Sequence, residues 1–231
     1  LSWLLHKIKN MKIETSKTNT PVWRTIQSKM KLTDELASLS NLAHNLWWVW
    51  NSDALDMFND IDTELWKETK NNPVLMLQKI SLERIQEISK DSLLVTRIKG
   101  VIDRFKEYMS KEYDQTKTSV AYFSMEYGLT HVLKLYSGGL GILAGDYLKE
   151  ASDSRGDMTG VGLLYRYGYF TQSISPDGQQ VAEYEAQNFG EIPIEQVFDA
   201  EGRPMVLAIP YPGRDVYAYI WKINVGRVQL Y

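Results

Sequence analysis

From about Lys31 to Tyr113, apolar residues recur every three or four positions. Leu32, Leu36, Leu39, Ala43, Leu46 and Trp50 lie on one stripe, which predicts one continuous helix. Asp34 and Glu35 fall in its first turn, where carboxylates complement the helix dipole. Asn51-Ser52-Asp53 stops it and can cap the next helix. Asn72-Pro73 fits an N-cap followed by proline at the first helical position. Ser81 can start a short helix through Ile88. Beyond Asp91, the residues Leu94, Ile98, Val101, Phe105 and Tyr108 share one face of a longer helix. The expected outcome is a bundle of about four helices.

The period changes after about Lys117. Val120 to Met125 reads as a buried strand, and Gly160 to Tyr165 as a second. Between them, Leu140, Leu143, Tyr147 and Ala151 have helical spacing. Strand, helix and strand in this order predict a βαβ unit with a parallel sheet and a right-handed crossover. Hairpins follow. Tyr169–Ile174 and Gln180–Tyr184 flank the turn Ser175-Pro176-Asp177-Gly178. Val206–Ile209 and Val216–Ile223 flank Tyr211-Pro212-Gly213. Asn224-Val225-Gly226 turns into Arg227–Tyr231, which reads as a strand cut off midway and leads us to expect a fragment. At the other end, Met11 with the polar run Lys12–Thr20 is the expected native start, preceded by ten upstream residues. The order of charge and apolar residues in Leu1–Asn10 is wrong for a signal peptide.

The chemistry concentrates in Tyr136-Ser137-Gly138-Gly139-Leu140-Gly141, where a loop becomes a helix. Backbone N–H groups are unpaired there, at the positive end of the helix dipole, and suit a phosphate. A second reading stands beside it: a tight turn that needs glycine only for its dihedrals. Trp47 and Trp50 are in register with the core stripe. Trp48 lies off it, which makes it a candidate for a surface or interdomain contact, and His44 beside the stripe has no expected chemical role.

Composition narrows the function classes. The 231 residues are 44% hydrophobic and 24% charged, as in ordinary globular proteins. A net charge of −3 without any basic run argues against nucleic acid or an anionic membrane surface. Cysteine is absent and the three histidines are far apart, so neither a disulfide framework nor a His or thiolate metal centre is expected. No apolar run reaches the about 20 residues that span a bilayer.

Three segments then resemble one family. Ala121-Tyr122-Phe123-Ser124-Met125-Glu126-Tyr127-Gly128, Tyr136 through Asp146, and Gly160 through Phe170 are similar, in order and spacing, to the start of the catalytic part of α-glucan (glycogen/maltodextrin) phosphorylases. Leu42 through Asn51, Ile61-Asp62, Glu64-Leu65-Trp66 and Asn72-Pro73 resemble the helical domain preceding it in a bacterial and archaeal branch. The resemblance runs from about Val22 to the end. It implies an α/β chain: an N-terminal helical bundle followed by the beginning of a Rossmann-like domain of a two-domain, GT-B-like glycosyltransferase. The expected divisions are 1–30 as an extension or linker, 31–116 as the helical domain and 117–231 as a truncated part of the catalytic domain.

The resemblance implies a cytoplasmic enzyme that uses inorganic phosphate to release glucose 1-phosphate from the terminal α-1,4 links of glycogen or maltodextrin. Pyridoxal 5′-phosphate would be the cofactor, its phosphate group active and its attachment lysine downstream, so this piece alone is expected to be inactive. Neither nucleic acid nor membrane would be a partner, and a homo-oligomer is compatible with the family. Carried over, Gly138 and Gly139 would offer N–H groups to phosphate and Leu140 would contact the transferred glucose. Ser137 and Gly141 would shape the loop, Gly141 by permitting close packing. No residue here matches a catalytic or metal-binding position of the family, and neither Lys149 nor Lys222 sits in its cofactor motif. Glu126 stays open between a functional group and a buried anchor accepting backbone hydrogen bonds. Arg166 stays open between an anion contact and a structural ion pair, and Asp146 is expected to be structural.

Gly178-Gln179-Gln180 stands where the family often has tryptophan. Only about ten residues separate Glu126 from the loop, too few for the animal-type arm, so animal-type allostery is not carried over. Two rivals remain: a glycogen or starch synthase, which has a similar Gly-Gly-Leu-Gly loop, and a non-catalytic glucan-binding module.

Overall fold

The predicted stripe breaks at Asn45. In the computed structural model, helix α1 spans Asp34–Ala43, and Leu46–Trp50 forms a separate 3-10 helix. The cause is Asn45, whose side-chain oxygen caps that second helix by accepting from Trp47 N–H at 3.0 Å. The structure describes residues 34–114, 116 and 118–231, with backbone only for residues 34–37. The expected extension over residues 1–30, the Met11 start, Leu32 and the side chains of Asp34, Glu35 and Leu36 lie outside what is described.

Five more α-helices follow: α2 (Ser52–Ile61), α3 (Thr63–Glu68), α4 (Pro73–Lys79), α5 (Leu82–Lys90) and α6 (Ser92–Ser110). Three of the caps are residues the sequence marks, whereas Asn51 makes no side-chain cap bond to α2 and α3 is capped by Asp62, which accepts from the Leu65 amide. Asn72 accepts from the Val74 and Leu75 amides, Ser81 from Arg84 and Asp91 from Leu93 and Leu94. The array is more finely divided than a four-helix bundle, because each cap restarts the chain after about two turns.

Trp48 corrects an expectation. It is 1% exposed, edge-on to Phe58 at 6.4 Å and to Trp66 at 6.5 Å, and its Nε1 donates to the Ala43 carbonyl. The break at Asn45 resets the helical register and turns Trp48 into the core. Trp50, expected inside, is half-buried and donates from Nε1 to Asp153 Oδ1 at 3.3 Å.

Beyond α6 come β1 (Val120–Phe123), α7 (Gly139–Asp153) and β2 (Met158–Val161). β1 and β2 pair in parallel, Val120 opposite Met158 and Phe123 opposite Val161, and so make the expected βαβ unit. Its second strand starts earlier than the predicted residues 160–165 and leaves residues 162–165 outside it. Two short ribbons, β3 (Thr171–Ile174) with β4 (Gln180–Glu183) and β6 (Val206–Tyr211) with β7 (Arg214–Tyr219), form around the predicted turns. The stretch predicted as one strand from Val216 to Ile223 divides between β7 and β8 (Trp221–Val225), which lie in different sheets. With β5 (Glu195–Gln196) and β9 (Val228–Leu230), the main sheet has the order β1-β2-β9-β8-β5. β9 runs parallel to β2 and antiparallel to β8. The chain is thus an α/β protein.

β1 is an edge strand rather than the buried strand its apolar run predicts, and Phe123 is 72% exposed. Helix α7 likewise turns over the expected face. Leu140, Leu143 and Tyr147 are exposed, while Gly141, Ala144, Gly145, Leu148, Ala151 and Ser152 face the protein. Small residues are buried because the backbone beneath leaves no room for large ones.

The described residues form one compact unit. Its helical and sheet parts share a core running from Leu39 and Phe58 to Leu148, Val225 and Leu230. The seam is polar in places, among them a cluster around Tyr108. Tyr108 of α6 donates to Asp153 and contacts Ser152 Oγ at 2.6 Å, while the Arg227 guanidinium stacks 3.6 Å from the Tyr108 ring centre. Burial pushes the Tyr108 hydroxyl pKa well above its usual value.

Candidate functional site

The glycine loop lies just beyond the C-terminal end of β1, where α/β proteins place ligands. Gly138 is the N-cap of α7 and supplies no side-chain cap. Its backbone is extended, φ −155° and ψ −158°, a conformation open to any residue. The described glycines with positive φ are Gly178, Gly202, Gly213 and Gly226, none of them in this loop. Dihedral need therefore does not explain Gly138 or Gly139.

Packing within the chain does not explain them either. A Cβ built on Gly138 or Gly139 meets nothing within 4 Å. Gly141 and Gly145 differ sharply. A Cβ on Gly141 would overlap Tyr136 Cβ and lie 3.1 Å from Glu126 Oε2, and one on Gly145 would overlap the Gly128 carbonyl. Here α7 rides directly on the Gly128 backbone, and the Gly128 amide donates to the Gly141 carbonyl at 2.6 Å. The loop thus holds two kinds of glycine: Gly141 and Gly145 make room inside, while Gly138 and Gly139 leave room outside.

Glu126 reaches across the loop. Its carboxylate accepts from Ser137 Oγ at 2.9 Å and from Ser137 N–H at 3.3 Å. The Ser137 hydroxyl, then the Ser137 amide, then smaller contributions from the Gly138 and Gly141 amides hold its pKa below the usual 4.5. Ser124 Oγ in turn donates to the Glu126 carbonyl at 2.9 Å. Glu126 is half-buried rather than buried, and it accepts one backbone amide and one hydroxyl, both from Ser137. The first intrahelical bond of α7 runs from Ile142 N–H to Gly138 O. That leaves the Gly139 and Leu140 amides without a hydrogen-bond partner among the described residues, at the positive end of a 15-residue helix.

Beside the loop is a cavity of about 210 Å³ lined by Glu126, Ser137, Lys134 and the tyrosines Tyr136, Tyr165, Tyr167 and Tyr169. Tyr165 donates its hydroxyl to the Met125 carbonyl at 3.1 Å. Lys134 is paired with Glu185 at 2.9 Å. The Leu140 side chain is exposed next to the free amides. Arg166 is exposed and makes no ion pair among the described residues, and Asp146 pairs with Lys149 at 3.4 Å. His44, just past the end of α1, bonds the Ser40 carbonyl of that helix.

Two features escape the sequence reading. One is the Leu140 amide, visible only once the helix start is fixed. The other is the partnership of Glu126 and Ser137, eleven residues apart with nothing periodic to link them. The tyrosine wall had a signal in the alternation Tyr165-Arg166-Tyr167-Gly168-Tyr169.

Unpaired amides at a helix start beside the end of a parallel strand are a feature this site shares with anion-binding loops of α/β proteins. The relatives narrow it further. A family model described as "Protein of unknown function (DUF3417)" matches residues 32–133. Maltodextrin phosphorylase of Thermococcus litoralis is 42% identical over 212 residues, 89% of this chain and 25% of that protein. Glycogen phosphorylase of Aquifex aeolicus is 43% identical over 197 residues, 84% of this chain and 28% of that protein. The Mycobacterium tuberculosis glycogen phosphorylase is 36% identical over 220 residues, 90% of this chain and 26% of that protein. The chain is thus a homologue, over most of its length, of proteins named glycogen and maltodextrin phosphorylase. It spans about a quarter of the length of these relatives.

Proposed function

We propose that this chain forms the phosphate-side wall of an α-glucan phosphorylase that cleaves terminal α-1,4 links of glycogen or maltodextrin with inorganic phosphate, releasing glucose 1-phosphate. The observation that carries the reading is that Gly138 and Gly139 are needed neither for backbone dihedrals nor for packing inside the chain. Their smallness serves something that approaches from outside. The Gly139 and Leu140 amides then donate to phosphate oxygens, aided by the α7 dipole, while charge develops during phosphorolysis. Gly138 keeps the approach open, and the exposed Leu140 side chain contacts the transferred glucose. The relatives' names favour phosphorolysis over a synthase. Burial of Trp48 removes the exposed indole on which the glucan-binding module rested.

The same amides fit the phosphate group of pyridoxal 5′-phosphate, which would supply proton transfer next to the substrate phosphate. Among the described residues, Lys134 holds Glu185, Lys149 holds Asp146 and Lys222 holds Glu195. On this reading the attachment lysine belongs to a longer polypeptide, in which residues 117–231 begin the first Rossmann-like half of a GT-B-like enzyme. Residues 31–116 are its helical domain, residues 1–30 a linker, and the enzyme works in the cytoplasm. Among the described residues no helix is long and apolar enough to cross a membrane.

The test is to incubate the longer polypeptide with maltodextrin and inorganic phosphate. Phosphate-dependent glucose 1-phosphate is the expected product, and its absence from protein carrying bound cofactor refutes the assignment. The 231-residue chain alone should release none.

A further inference from the structure

The α7 N-terminus carries two kinds of donor, and Glu126 separates them. The Ser137 amide and hydroxyl are taken by its carboxylate, whose lowered pKa also has smaller contributions from the nearby Gly138 and Gly141 amides. Gly139 and Leu140 are exposed, and their amides have no partner among the described residues. The carboxylate is fixed from behind, because the Ser124 hydroxyl donates to the Glu126 carbonyl and the neighbouring Tyr127 amide donates to Leu135 O at 3.1 Å. Gly141 leaves room for it, since a Cβ there would lie 3.1 Å from Glu126 Oε2 and 3.2 Å from Glu126 Cβ.

We propose that Glu126 is a positioning residue of the phosphate site. By binding the Ser137 side of the loop it holds the Gly139 and Leu140 N–H groups outward as a preformed two-amide cradle. This deepens, and rests on, the phosphate reading of the loop. Preformed donors need no reorganisation when the anion arrives, and that is where such a clamp gains affinity.

The proposal makes a prediction opposite in sign to simple electrostatics. A carboxylate beside an anion site repels the anion, so charge alone predicts that Glu126→Gln binds phosphate more tightly. Positioning predicts weaker binding, because a neutral amide holds the Ser137 donors less strongly.

The experiment is a titration of the isotopically labelled 231-residue chain with inorganic phosphate, followed at the Gly139 and Leu140 amide resonances, with sodium chloride matching ionic strength. Wild type, Glu126→Gln and Ser137→Ala are compared. Glu126→Gln should weaken phosphate binding about tenfold, the effect of losing one charge-assisted hydrogen bond. Ser137→Ala, which removes only the hydroxyl donor, should fall between it and wild type. A parallel acid titration reads the clamp itself: the Ser137, Gly138 and Gly141 amides should follow one carboxyl group in wild type and stop doing so in Glu126→Gln. Equal or tighter phosphate binding by Glu126→Gln overturns the proposal, as does a loop whose amides ignore Glu126. If wild type shows no phosphate response while the loop amides still titrate, the phosphate reading falls and Glu126 is a structural clamp only.

Discussion

The Asn45 carboxamide pairs with both backbone groups of Gly226: Nδ2 donates to the Gly226 carbonyl and Oδ1 accepts from its N–H, each at 2.9 Å. One buried side chain thus caps the 3-10 helix and ties the helical part of the chain to the β8–β9 turn. Asn45→Ala strands a buried N–H and a buried C=O, which costs about 3 kcal/mol. Urea denaturation should show that loss; a change within about 0.5 kcal/mol would mean that the pairing contributes nothing net.

Gly226 is the other half of that seam. Its φ is +59°, and an added Cβ would overlap Ser152 Oγ and lie 3.1 Å from the Tyr108 hydroxyl. Gly226→Ala combines left-handed strain with overpacking and should cost about 3 kcal/mol. Gly178→Ala, with φ +82° and open space around it, bears the strain alone and should cost about 1 kcal/mol. Thermal melts of the two variants side by side check the ordering.

Trp48 separates core from binding surface. Trp48→Ala empties the cluster with Phe58 and Trp66 and should destabilise the chain by about 3–5 kcal/mol. Weaker retention on insoluble glucan without loss of stability would restore the surface role that the sequence suggested.

Where local chemistry decides, the sequence was readable. Asn72, Ser81 and Asp91 cap the helices expected of them, and Ser175-Pro176-Asp177-Gly178 makes its hairpin. It misled where a distant partner decides. Asn45 breaks a helix that periodicity alone continues, and it also bonds a residue 181 positions away. The α7 face was inverted because apolar spacing does not register how closely Gly145 approaches Gly128. Of the site, the helix start and its glycines were legible. Which amides stay free was not, since that depends on Glu126 reaching Ser137.

The clamp should also appear in the acid limb of stability. The Glu126 pKa is lowered on folding, so between its folded value and the usual 4.5 the unfolded chain binds more protons. Its contribution is complete above 4.5 and fades as pH falls through the folded value. Asp177, held by Ser175, and Glu185, held by Lys134, act in the same direction. Glu126→Gln should therefore flatten the fall of the urea midpoint below pH 4.5 only in part. An acid limb identical to wild type would show that Glu126 is not held by the loop.

Gly139 is where folding and function separate most cleanly. A side chain there meets nothing in the chain, yet it would cover the amides proposed for phosphate. The deciding measurement is the inorganic-phosphate affinity of Gly139→Val beside its melting temperature. The account predicts phosphate binding weakened about tenfold or more, with a melting temperature within about 2 °C of wild type. Unchanged phosphate affinity, or a loss that merely tracks unfolding, would contradict it.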